Sequence, residues 1–172
     1  MTGADLLNTT ISQVSRSIRE RQLSPVELTQ ACIEQSERVD PILKAFTTMT
    51  PEYAIQRAQQ AEKEISSGKY RGPLHGIPYT LKDVIATQGI RTTFGNPRMI
   101  DFKPQESATV HVLLEEAGAV LLGKVYSHIG RGDNPVMCYS PWNPDTSPGT
   151  TSGGSGSSVA SGMGLLSIGT DT

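Results

Sequence analysis

Apolar residues recur at helical spacing through the first 70 positions and then give way to short apolar runs broken by glycine and proline. Ile11, Val14 and Ile18 fall three and four residues apart, which predicts an amphipathic helix stopping near Gln22. Ser24-Pro25-Val26-Glu27 reads as a capping box with proline at the first helical position, where its missing N–H is no loss. It opens a helix whose inner stripe holds Leu28, Ala31, Cys32 and the 35–39 region. Thr50-Pro51-Glu52-Tyr53 repeats that start signal, and Ala54, Ala58, Ala61 and Ile65 carry the stripe on. Gly68 then suits the left-handed turn that ends a helix. Between these two helices, residues 43–47 form a short strand candidate.

After Lys69 the period changes. Gly76-Ile77-Pro78 leads into a strand over 79–84, residues 89–95 form a polar connection, and 107–116 predicts a helix with Val110, Leu113 and Leu114 inward. Gly118 closes that helix and 119–123 is a continuous apolar strand. Strand, helix and strand in this order favour an α/β fold, a layered sheet with helices packed on it. Residues 130–158 show almost no periodicity and are punctuated by Pro135, Pro141, Pro144 and Pro148; a loop of that length in a compact protein is functional or disordered. A small-residue helix over 157–163 and a buried strand over 164–169 follow. The chain therefore divides into an N-terminal helical segment, 1–70, and the first part of an α/β core, 71–172, within a single domain.

Charge and composition narrow the function classes. Lys+Arg 15 against Asp+Glu 17 gives a net charge of -2, and the pI near 5.9 argues against a nucleic-acid binder that works by neutralising phosphates. With 36% hydrophobic and 19% charged residues there is material for one globular core. No run reaches the ~20 apolar residues of a membrane span, and the N-terminus has neither a signal peptide's basic and apolar regions nor a transit peptide's arginines. No membrane partner and a cytoplasmic location are expected. Cys32 and Cys138 are too far apart for a Cys-x-x-Cys pair, so neither a disulfide framework nor a zinc site is expected.

Three small-residue loops invite chemistry. Residues 149–155 have the skeleton of a phosphate loop but lack its lysine, and Gly162-x-Gly164-x-x-Ser167 lacks the third small residue of a dinucleotide fingerprint. What remains is a dense set of hydroxyls from Thr146 to Ser161 entering a small-residue helix, which reads as a packed loop rather than a Gly/Ser linker. Amides in such a turn can hold an anion, and a hydroxyl can act as nucleophile or proton relay if a base is near. The candidate base is Lys82. From its residues alone it is either an exposed position on an edge strand or a lysine in a dry pocket, where desolvation would lower its pKa. Strand alternation puts Asp83 on the other face, so Asp83 need not neutralise it. His75, His111 and His128 have no acidic residue at metal-ligand spacing and are expected to be satisfied or exposed; Arg131-Gly132-Asp133 is set aside as a chance tripeptide.

The order of segments resembles the amidase signature family. It is carried by 72–78 (Gly-Pro-Leu-His-Gly-Ile-Pro), Leu81-Lys82-Asp83, Ala117-Gly118-Ala119-Val120, Leu122-Gly123-Lys124, Asn143-Pro144, Pro148-Gly149, Ser152-Gly153-Gly154-Ser155 and Gly169-Thr170-Asp171-Thr172. The resemblance implies a mixed sheet sandwiched by helices, here its N-terminal part, and amide hydrolysis through a serine, serine and lysine triad with no metal or organic cofactor. Lys82 would be the triad base. Thr151 would stand where the family has its middle serine, after a non-proline cis peptide, with Ser152 as second choice for the relay. Thr170, Asp171 and Thr172 would begin the oxyanion loop. The nucleophile would fall in the Gly-Gly-Ser directly after Thr172, so the chain is expected to be an N-terminal piece, inactive alone, whose partners are the rest of the amidase chain and a small-molecule amide; a homodimer is compatible. The alternative is a decayed amidase fold serving as a pseudo-enzyme or binding protein.

Overall fold

A computed structural model describes residue 5 and residues 8–127 and 138–171; His128, the Arg131-Gly132-Asp133 tripeptide, Pro135 and Thr172 lie outside the described residues. Helix α1 (Ile11–Arg19) starts at a capping box in which the Thr10 side chain accepts from the Gln13 N–H and Gln13 reaches back to Thr10. It ends three residues short of Gln22, because Arg21 turns left-handed at φ 59. Helix α2 (Pro25–Leu43) starts as its sequence demands: Ser24 Oγ accepts from the N–H groups of Val26 and Glu27, and the Glu27 carboxylate accepts from Ser24 N–H. The same hydroxyl donates to Glu62, which ties α2 to α3 (Pro51–Ser66). Ser24→Ala should therefore lower stability by about 1 kcal/mol or somewhat more, the usual effect of losing such a cap. Urea denaturation checks this, and an unchanged midpoint would show the cap to be idle.

Lys44 takes a left-handed conformation, φ 50, at the end of α2, and Asp40 Oδ1 accepts from Ala45 N at 2.6 Å and Phe46 N at 3.1 Å. This clamp consumes the residues expected to start the first strand, so β1 spans Phe46–Met49 instead of 43–47. The remaining elements are β2 (Pro78–Lys82), a single 3₁₀ turn (Pro97–Met99), α4 (Thr109–Glu116), β3 (Val120–Val125), α5 (Gly153–Ala160) and β4 (Leu166–Ile168). The four strands among the described residues form one mixed sheet in the order β1-β3-β2-β4, with β1 antiparallel to β3 and β2 parallel to both β3 and β4.

Alternation along the strands gives the sheet two packed faces. Val120 and Leu122, with Ile77 from just before β2, join Val14, Ile18, Leu28, Cys32, Ala54, Ala58 and Ile65 of the N-terminal helices. Tyr79, Leu81 and Leu121 join Leu114 of α4 and Ile85. Where β1 crosses β3 the chains touch at Gly123, φ +153, where an added Cβ would overlap the Thr48 carbonyl oxygen.

Other elements also depart from the sequence expectation: β2 spans Pro78–Lys82 instead of 79–84, and Leu113 of α4 is exposed rather than inward. β3 runs past Gly123 through Lys124 and Val125, both fully buried. Helix α5 begins at Gly153, four residues before the expected start, because Gly154 lies directly on the Tyr126 backbone, where a Cβ would collide. β4 is half-buried rather than buried, for it lies at the end of the strand order with β2 as its partner. No helix among the described residues is long and apolar enough to cross a membrane.

Candidate active site at the end of strand β2

Lys82 is the last residue of β2 and only 2% exposed, which resolves the choice left open by its sequence in favour of the buried position. Its ammonium donates to Thr170 Oγ1 at 2.5 Å, and burial alone holds its pKa below that of an ordinary lysine. No carboxylate contributes to that shift. Thr80, two residues back on the same face, bonds the hydroxyls of Ser158 on α5 at 2.9 Å and Ser167 on β4 at 2.8 Å, so hydroxyls link β2 to both neighbours.

The segment that enters α5 supplies the remaining groups. Ser152 Oγ accepts from Thr170 N at 3.2 Å and lies 3.1 Å from Thr170 O, to which it donates. The close approach requires glycine at 169, where an added Cβ would stand 2.9 Å from Ser152 Oγ. Lys82, Thr170 and Ser152 thus meet in one place. The Thr151 hydroxyl is partly exposed and takes no hydrogen-bond partner among the described residues. Asp171 is exposed and Thr172 lies outside the described residues. The cis peptide expected before Thr151 is absent: every described peptide bond is trans, and Gly149, at φ +133, takes up part of the turn instead.

Most of the hydroxyls between 146 and 161 serve the packing. Ser155 donates to Ile168 O at 3.3 Å, Ser157 to Tyr139 O at 2.9 Å, and Ser161 to Ser157 O at 2.7 Å. His75 and His111 do the same. His75 accepts from Arg71 N at 3.1 Å and faces Glu64 at 3.3 Å, while His111 meets the Tyr79 hydroxyl at 2.8 Å. Both cysteines are buried free thiols, pushed up to about 12 at Cys32 and about 11 at Cys138 by desolvation, so neither is a ready nucleophile. Among the described residues no group of three or more His, Cys, Asp or Glu is placed to hold a metal.

Two features escaped the sequence reading. The side chain of Thr170, expected to matter only through its place in the oxyanion loop, is the partner of Lys82. Lys124, which the sequence pattern marks only as the partner of Gly123 in a glycine-lysine pair, is wholly buried. A charged residue inside the apolar run 120–125 was the available signal, since lysine is almost never fully buried unless paired.

Kinship with known proteins bears on the same residues. The family model described as Amidase matches residues 27–172. The glutamyl-tRNA(Gln) amidotransferase A subunit from Dehalococcoides mccartyi (strain CBDB1) is 41% identical over 98% of this chain and 36% of its own length. The protein of that name from Chloroflexus aurantiacus (strain ATCC 29366 / DSM 635 / J-10-fl) is 36% identical over the same shares. The native peptide amidase from Stenotrophomonas maltophilia superposes with a TM-score of 0.86 at 29% identity, over 92% of this chain and 35% of that one. Fatty acid amide hydrolase shares the fold, with a TM-score of 0.88 at 22% identity over 98% of this chain and 31% of that one. The chain thus spans little more than a third of the curated relatives it matches.

Proposed function

This chain belongs to the Amidase family, and from that premise we propose that the protein containing it breaks a carboxamide C–N bond through a serine nucleophile with Lys82 as the base. The observation that carries the reading is a buried lysine whose ammonium meets a hydroxyl and whose pKa no carboxylate raises. Desolvation without a counter-charge is what lets a lysine accept a proton near neutral pH.

The nucleophile is assigned to the serine of the Gly-Gly-Ser that the family pattern puts directly after Thr172. Neutral Lys82 takes its proton through a relay hydroxyl, the serine oxygen adds to the amide carbonyl, and backbone amides of the loop around Thr172 hold the oxyanion. The intermediate collapses as the amine leaves with the proton returned by Lys82, and water then releases the acyl group. The relatives named as amidotransferase subunits and as a peptide amidase favour a carboxamide donor such as glutamine or a peptide amide. The cytoplasm is the proposed compartment, a reading supported by the two free, buried thiols.

Two hydroxyls compete for the relay. Thr151 stands where the family has its middle serine, whereas Ser152 is already bonded to the residue that holds Lys82. Thr151→Val keeps the shape and removes the hydroxyl, and Ser152→Ala does the same for its neighbour. Whichever is the relay should lose ~10²–10⁴-fold in kcat, as for a lost proton-transfer group. The full-length protein is assayed on a simple aryl amide, a peptide amide and glutamine. No hydrolysis of any of them, or parental turnover in both variants, would favour the decayed fold.

A further inference from the structure

Strand β3 carries a second buried lysine that the reaction does not use. Lys124 and Asp83, the residue after Lys82, are each fully buried. Lys124 Nζ donates to Ile85 O at 2.6 Å and to Thr92 Oγ1 at 2.8 Å, and stands 3.8 Å from Asp83 Oδ1. Asp83 Oδ2 accepts from the Thr93 N–H at 3.1 Å and from the Thr93 hydroxyl, while Oδ1 has no hydrogen bond and is answered by the ammonium alone. The backbone follows the same plan: Asp83 N donates to Val125 O at 2.9 Å, Phe94 N to Asp83 O at 3.0 Å and Ile85 N to Lys82 O at 3.0 Å. Every group on the residue that succeeds Lys82 is thereby tied to β3 or to the returning chain at 92–94.

In the β2–β3 ladder Lys124 pairs with Leu81 and Lys82 with Val125. The two lysines consequently lie on opposite faces of the sheet, and Lys124 can act on Lys82 only through the backbone. A buried ion pair is a poor source of stability, since an apolar pair of similar volume often does as well or better. Its use here has a more specific reading. We propose that Lys124 and Asp83 are positioning residues, which lock the 83–94 turn and so hold the end of β2 with the Lys82 ammonium in its dry seat against Thr170. The inference rests on Lys82 being the base proposed above.

The groups around the two lysines keep the readout clean. On the Lys82 face Thr170 is its hydrogen-bond partner and Asp171 is exposed, while the charged and titratable groups Asp83, Lys124 and His111 belong to the other face. Lys124 is itself lowered to about 8 by burial, with Asp83 opposing the shift.

The test uses the full-length protein and reads Lys82 directly, by competitive acetylation with acetic anhydride across pH and mass spectrometry of its peptide. In the parent, Lys82 should label slowly and titrate below an ordinary lysine. In Lys124→Met its labelling rate and its apparent pKa should rise towards those of an exposed lysine, and kcat should fall by about 10²-fold with KM unchanged, the effect of a misplaced catalytic group. Because Lys124→Met leaves a buried carboxylate unpaired and can cost the fold, Asp83→Asn combined with Lys124→Met is measured beside it. That neutral pair should recover the parental melting temperature and still show the altered Lys82 profile. A parental Lys82 profile in either folded variant would overturn the inference, whatever happens to kcat. If instead the parent hydrolyses no amide, or Lys82→Met turns over normally, the reaction assigned to Lys82 is wrong, and the labelling profile still decides whether the pair positions it.

Discussion

Lys82→Met should remove amide turnover from the full-length protein, by the ~10²–10⁴-fold of a lost general base or more, while leaving the fold intact. Methionine matches the lysine stem in length and needs no partner in the buried seat beside Thr170. The stability change has a definite sign. The folded-state pKa of Lys82 lies below its unfolded value, so the unfolded chain binds the proton more tightly, and the parent loses stability as pH falls from the ordinary lysine range through the folded-state pKa. The variant is free of that loss. It should melt at or above the parental temperature at neutral pH, with an advantage that vanishes in strongly alkaline solution. Turnover near the parental value would remove Lys82 from the chemistry, and a collapse of the melting temperature would reveal a structural ion partner in its place.

Gly123→Ala is the substitution expected to damage the fold most. At φ +153 the backbone occupies a region that residues with a side chain scarcely visit, a strain of about 1–3 kcal/mol. The new methyl would also strike the Thr48 carbonyl oxygen and the Met49 Cα, which belong to the backbone of β1 and cannot rotate away, adding overpacking of about 1–3 kcal/mol. Domains of this size are stable by only about 5–15 kcal/mol, so the variant should melt far below the parent or fail to accumulate in soluble form. A thermal melt decides it; a shift of only a few degrees would mean that β1 can slide away from β3.

The N-terminal helices were legible because their ends are written locally. Ser24 with Glu27, and Pro51 at a first helical turn, state a start that no tertiary contact has to supply. The inner stripe of Ala54, Ala58, Ala61 and Ile65 states which face is covered. The strands were less legible, because their limits are set by partners distant in sequence. β1 is pushed towards Met49 by the Asp40 clamp, and β3 extends to Val125 because β1 and β2 flank it there. At the site, the separation of Lys82 from Asp83 followed from alternation along one strand, whereas its burial was one of two readings that only the docked neighbours could decide. The Thr170 hydroxyl could not be foreseen, since it meets Lys82 only after β4 has docked beside β2. The dense hydroxyls pointed to the right loop and overstated its chemistry, for most of them bond the backbone of α5 and its neighbours.

The position of β3 between β1 and β2 also has a bearing on synthesis. β1 leaves the ribosome early, yet the strand it pairs with lies 77 residues later, at the Thr47–Lys124 contact. Val120 and Leu122 of that strand are also part of the core shared by α1, α2 and α3. Until β3 emerges, the early helices have local order but no floor to pack on, and the apolar stripe around Leu28 and Ile65 is open to chaperones. The arrival of one six-residue strand then supplies a floor to three helices and a neighbour to two strands, so compaction of this region should come as a single late step on the growing chain.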